Sequence, residues 1–184
     1  ILASMARWAV RKSGDADAEN LSIVVPALVA TALTAVVGLA IEQIDLTGQP
    51  RVVAGLLLVT ALILVASSRF KAGATDYKGM KLKHGVITGL AQGIGVFPGI
   101  SRSGITISAG LASGLSRETA GEFSFLLAVP AVLGALVLKL DDLAELAGTV
   151  APLPLAVGSL VAFAAGVASL LILMPIVRKG KLAW

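Results

Sequence analysis

Residues 98–104 read PGISRSG and are followed by Ile105 and Thr106. Here an arginine, serines and glycines interrupt an otherwise apolar stretch. Gly99 and Gly104 let the backbone turn tightly and approach a ligand. A helix beginning near Gly104 would aim its free N–H groups and positive dipole end into the loop. Arg102 adds a planar fork of donors matched to phosphate oxygens. Ser101, Ser103 and Thr106 surround it with hydroxyl donors. Together these residue types describe a phosphate-binding cradle. The competing reading pairs Arg102 with a carboxylate and leaves the glycines to close helix packing. Other phosphate and nucleophile motifs fail: no Gly-Lys-Ser/Thr is present, and Gly-x-Ser-x-Gly is missed because position 103 is serine.

The surroundings make that arginine expensive. Of the 184 residues, 57% are apolar and 14% charged, with a mean hydropathy of +0.92. Soluble domains run nearer ~45–50% apolar and ~25% charged, so disorder, a coiled coil and an ordinary soluble enzyme are excluded. A guanidinium at mid-membrane depth costs at least ~2.5–3.5 kcal/mol. Irregular backbone survives there only inside protein or beside a water-filled cavity. The absence of cysteine excludes a disulfide framework, a thiolate zinc site and an iron–sulfur cluster. Aromatic residues, at 4%, are too scarce for a base-stacking surface.

The elements that must hold this tip are membrane helices. Charge-poor apolar runs predict spans at about 21–44, 51–68, 119–140 and 153–177. Thr47, Gly48, Gln49 and Pro50 supply turn chemistry between the first two. Gly114 and Ser116 read as a helix stop and an N-cap, with Glu118 suited to the first turn. Pro130 should kink its span, and Pro152 and Pro154 open the last one. No signal peptide is visible at 1–10. Without an initiator Met at position 1, the chain reads as part of a longer protein, a single transmembrane domain over 1–184.

The net charge of +4 is mostly a topology signal. Apart from Arg51, Arg102 and Lys139, the 15 basic residues cluster before the first span, at 69–83, at Arg117 and after the last span. The other loops carry Glu42, Asp45, Asp141, Asp142 and Glu145. The positive-inside rule puts the basic clusters in the cytoplasm, so a nucleic-acid partner is unnecessary. Residues 84–116 must then cross twice or not at all. A helix over 104–116 would reach only about 20 Å, short of the ~30 Å core. What remains is a re-entrant hairpin at about 84–115 with its tip at 98–104. The fold class is therefore an all-α integral membrane protein, a multi-span helical bundle with a re-entrant helix-loop-helix.

At this point the sequence resembles a known family. PGISRSG, with GLAQGIGVF at 89–97 before it and EFSFLLAVP at 122–130 after it, is similar to the undecaprenyl-diphosphate phosphatases, the bacitracin-resistance proteins. The likeness is close over about 80–135 and colinear elsewhere, including AVVGLAIE at 35–42. It implies a bacterial plasma (inner) membrane enzyme that hydrolyses undecaprenyl diphosphate to the monophosphate and inorganic phosphate. It also implies a fold of two inverted repeats, of which this chain would be one half, and a capacity to form homodimers. The family's first, glutamate-rich motif ending in Ser-Ser-Thr-Gly-His has no counterpart here. By resemblance that motif supplies the ligands of a divalent cation (Mg2+ or Ca2+), leaving this chain the phosphate-binding half. Arg102 would then clamp the diphosphate, with Ser101, Ser103 and Thr106 bonding phosphate oxygens. Gln92 stands where the other repeat has a glutamate, either as a neutral orienting group or as packing glue.

Two more residues have alternative readings. Glu122 could pair with Arg102 or hold a water, or it could be an interfacial carboxylate. His84, the only histidine, could be a general base, but beside Lys83 the membrane surface is expected to solvate it. The basic stretch 69–83 could bind anionic headgroups or simply mark topology. As to function, an anion or lipid-headgroup transporter is the alternative, because broken half-helices also build transport sites. A ligand-free structural subunit is the third.

Overall fold

A computed structural model describes residues 15–44, 48–70, 73–140 and 152–178. The described residues form a multi-span helical membrane protein without strands. Its helices are α1 (Asp15–Glu42), α2 (Pro50–Ser68), α3 (Leu82–Ile94), α4 (Arg102–Ala112), α5 (Arg117–Leu138) and α6 (Pro152–Arg178). The expected features at 1–14, 45–47, 71–72, 141–151 and 179–184 lie outside the described residues. Those features include the leading and trailing basic clusters and much of the acidic loop.

Four helices are long and apolar enough to cross a membrane: α1, α2, α5 and α6. The shortest of them, α2, has 19 residues and is about 28 Å long. By contrast, α3 has 13 residues and α4 has 11, so they reach only about 20 and 17 Å. Neither is long enough to cross. The loop 95–101 joins them. Pro130 lies within α5, which continues to Leu138.

Local chemistry explains the boundaries. Pro50 opens α2 at a position where its missing N–H is no loss. Ser116 caps α5 by accepting the Thr119 N–H at 3.1 Å. Between α4 and α5 the chain reverses at Gly114, whose φ of +101° suits a residue without Cβ. The expected stop and cap therefore stand at 114 and 116.

Small residues set the packing of the hairpin. Gly85, Gly89 and Gly93 follow at intervals of four, so they share one face of α3. That face lies against α1, the most extensive helix pairing among the described residues. A Cβ at Gly85 would fall 2.3 Å from the Pro26 carbonyl oxygen, and one at Gly89 2.6 Å from the Ala30 Cα. At Gly93 it would meet the Val37 Cβ at 2.5 Å. Close backbone approach is how helices gain dispersion contact where lipid offers no hydrophobic drive. On the other side of the hairpin, Ile107 and Leu111 of α4 join Ala120, Phe123 and Leu127 of α5, Leu115 and Met80 in a buried core that also includes Ala30. Outside it, α6 is apolar all round and exposed, as a lipid-facing helix must be.

The foot of the hairpin is held by backbone. The Gly73 N–H donates to the Leu115 carbonyl (3.2 Å), the Thr75 N–H to Gly114 (3.3 Å), and the Ser116 N–H to Thr75 (2.9 Å). These bonds form a parallel bridge between Thr75 and Leu115. The segment after α2 is thereby tied to the turn before α5. A Cβ at Gly73 would sit 1.8 Å from the Gly114 oxygen, so this join also depends on glycine. The Arg117 Nη2 adds a bond to the Phe70 carbonyl at 3.0 Å.

Candidate functional site

The tip is assembled where α3 ends and α4 begins. Their backbones touch: a Cβ at Gly95 would lie 2.9 Å from the Arg102 Cα. Gly99 turns the loop at a φ of +95°, the left-handed geometry expected of it. The sequence points to a helix start near Gly104, but α4 begins two residues earlier. Ser101 is the N-cap, its Oγ accepting the Gly104 N–H at 3.2 Å. The reason is local, because a serine oxygen satisfies a first-turn donor and so fixes where the helix opens. Gly104 is glycine for another reason: a Cβ there would meet Ser101 Oγ at 2.9 Å and Leu64 of α2 at 3.1 Å.

The Gly104 N–H is taken by Ser101, and the Ile105 N–H by the Ser101 carbonyl at 2.8 Å. The Ser101 N–H donates to Thr60 Oγ1 of α2 at 3.1 Å. Among the described residues, the Arg102 and Ser103 N–H groups have no acceptor. The same holds for the Arg102 guanidinium. Arg102 and Ser101 are half-buried and Ser103 is exposed. Two backbone donors, a guanidinium, the Ser103 hydroxyl and the proton of Ser101 Oγ thus share one helix N-terminus. This arrangement suits an anion.

Other expected site residues are placed elsewhere. Thr106 is buried, and its hydroxyl donates to the Arg102 carbonyl at 2.6 Å. Its proton is therefore spent inside α4, where it steadies the first turn. Gln92 is 1% exposed, and its Nε2 donates to Thr34 Oγ1 of α1 and to the Leu127 carbonyl of α5, both at 3.3 Å. Thr34 Oγ1 in turn lies 2.7 Å from the Ala30 carbonyl and 3.2 Å from that of Gly89. Of the two readings of Gln92, this geometry is that of an amide joining three helices. Glu122 accepts a 2.5 Å hydrogen bond from the Tyr77 hydroxyl at the foot of the hairpin.

His84 corrects the expectation of a solvated ring. It is 1% exposed at the foot of α3, outside the four crossing helices. Its Nδ1 accepts the Lys81 N–H at 2.8 Å, closing the start of α3. Nε2 is buried without a hydrogen-bond partner among the described residues. Burial, and then the charge of Lys83, hold its pKa below the ordinary 6.5.

Sequence reasoning missed Thr60 and Tyr77. A threonine in an apolar span is unremarkable, since its hydroxyl can bond its own helix, and no local signal marks either residue.

A divalent cation does not fit the tip. The groups gathered there are donors and a fixed positive charge, whereas Mg2+ and Ca2+ take carboxylate and carbonyl oxygens. Among the described residues no three His, Asp or Glu side chains come together.

Comparison with known proteins shows what the chain as a whole is similar to. The family profile described as bacitracin resistance protein BacA matches residues 1–184. A Treponema denticola protein named undecaprenyl-diphosphatase is 43% identical over 180 residues, covering 98% of this chain and 66% of the relative. A protein of the same name from Desulfosudis oleivorans is 39% identical, over 91% of the chain and 61% of the relative. Undecaprenyl-diphosphatase 2 of Halalkalibacterium halodurans is 40% identical, over 85% and 58%. The chain thus spans two thirds or less of the length of these relatives.

Proposed function

The chain belongs to the bacitracin resistance protein BacA family, and on that premise we propose that it is the phosphate-binding part of a membrane undecaprenyl-diphosphate phosphatase. The reaction is hydrolysis of the diphosphate to undecaprenyl phosphate and inorganic phosphate, which returns the lipid carrier to cell-wall synthesis and confers bacitracin resistance. The membrane is the bacterial plasma (inner) membrane, where two copies of the protein can pair.

The observation that carries this reading is the set of uncommitted donors at the start of α4, Arg102 foremost. Phosphoryl transfer requires little covalent chemistry from a protein. It requires positioning, and donors aimed where charge develops. Arg102 grips two phosphate oxygens with its fork, the Arg102 and Ser103 N–H groups bind a third, and the serine hydroxyls fix the orientation. The short half-helices present these groups together at the tip of a hairpin too short to cross. The polyprenyl tail lies among the exposed apolar faces of the long helices. Because the tip does not fit a cation, no step here passes through one; a divalent ion serving the reaction would need carboxylates from another part of the protein.

Phosphate release from undecaprenyl diphosphate by the full-length protein tests the assignment. Arg102→Ala should slow it by about 10²–10³, and Arg102→Lys should also fall well short, because an ammonium cannot form the fork. Undiminished release by Arg102→Ala would reject the assigned role.

A further inference from the structure

We infer that Thr60, on the neighbouring helix α2, is the positioning residue of the tip. Its Oγ1 donates to the Gly99 carbonyl at 2.8 Å and accepts the Ser101 N–H at 3.1 Å. One hydroxyl thus spans Ile100 and satisfies both polar backbone groups that flank it. Only a hydroxyl can donate and accept from one atom in so small a space. Backbone at membrane depth must find such partners within the protein. In an ordinary span the Thr60 proton would turn to its own helix; here it goes to a residue 39 positions away.

The rest of α2 supports this placement. Gly99 rests on it so closely that a Cβ would lie 2.6 Å from the Val53 carbonyl oxygen and 3.0 Å from the Leu56 Cβ. Gly104 meets Leu64 on the same helix. Val53, Leu56, Thr60 and Leu64 follow the helical period, so a single face of α2 forms the floor under the tip. Thr60 is the polar point of that floor. It locks the left-handed turn at Gly99 and the amide of the cap Ser101 together, and thereby sets the direction in which Arg102 leaves the helix. The residue touches no substrate; it acts through Arg102. The inference rests on the phosphatase reading and deepens it.

The test uses the full-length protein in lipid nanodiscs, with phosphate release from undecaprenyl diphosphate as the readout. Thr60→Val keeps the shape but loses both bonds, and should lower kcat/KM by about 10–100-fold, as misplacement of a clamp does. Thr60→Ser retains the hydroxyl and should stay within about threefold of wild type. Adding Thr60→Val to Arg102→Lys should cost little more than Arg102→Lys alone, because both changes act on one group. A Thr60→Val enzyme at the wild-type rate overturns the inference. So do equal losses in Thr60→Val and Thr60→Ser, or losses that multiply in the double variant. Full activity in both Arg102 variants would instead bring down the phosphate-clamp reading itself.

Discussion

The two ends of the hairpin use hydrogen bonds differently. At the foot, the segment 73–80 and the turn 113–117 bind each other backbone to backbone, and the side chains of Tyr77, Glu122 and His84 are turned to partners nearby. At the tip, backbone groups are satisfied sparingly, through Thr60 and the Ser101 cap, and the strongest donors stay free. The difference shows where rigidity and chemistry reside. A donor committed to holding the fold is not available to a ligand, and the tip keeps its donors by resting on α2 instead. The glycine face of α3 seats the first half of the hairpin directly against α1.

The sharpest way to break this division is to separate α3 from α1. Gly89→Leu would press a side chain into the Ala30 backbone, which cannot yield as a flexible side chain could. Overpacking of this kind costs about 1–3 kcal/mol or more. The variant should lose most of its detergent-stable yield, measured by size-exclusion profile, even though residue 89 lies outside the tip. A normal, active protein would show that the close approach is dispensable.

Gln92→Leu probes the middle of the hairpin with a smaller effect. Removing an interhelical amide should lower stability by about 0.6–1.7 kcal/mol, seen as a reduced apparent Tm. The rate of phosphate release should stay within about twofold. A large loss of kcat at unchanged Tm would return Gln92 to the orienting role and extend the site down α3.

The weakest effect is expected from His84. Its folded pKa lies below its ordinary 6.5, through burial first and Lys83 second. Below that value the unfolded chain takes up a proton that the folded ring resists, so stability falls as pH drops through 6.5 toward the lowered value and is level above it. The apparent Tm between about pH 8 and about pH 5 should slope accordingly, and His84→Gln should flatten the slope. An equal slope in both proteins would assign the effect to other groups.

Much of the frame was legible because it depends on neighbours in sequence. The four apolar runs, the Gly114 stop and the Ser116 cap are local signals, and the helices open and close at or near them. The glycine at 104 suggests a start there, whereas the Ser101 cap opens α4 at Arg102. Burial of His84 was not legible: Lys83 beside it suggests a wet surface, yet the folded foot excludes water from the ring. Thr106 is a similar case: its residue type suits phosphate, while on α4 its hydroxyl donates to the Arg102 carbonyl.

By itself, the sequence determined that this chain lives in lipid, that one segment is too short to cross, and that a costly arginine stands at its bend. Hydropathy, charge placement and turn chemistry act over a few residues, so a linear reading recovers them. Which donors remain free was decided only by the tertiary structure. Thr60 reaches the tip across about 40 positions, and Gln92 meets helices 58 positions before it and 35 after it. Hydrogen bonds depend on distance in space and on what else competes for each proton, and neither quantity exists until the helices have packed.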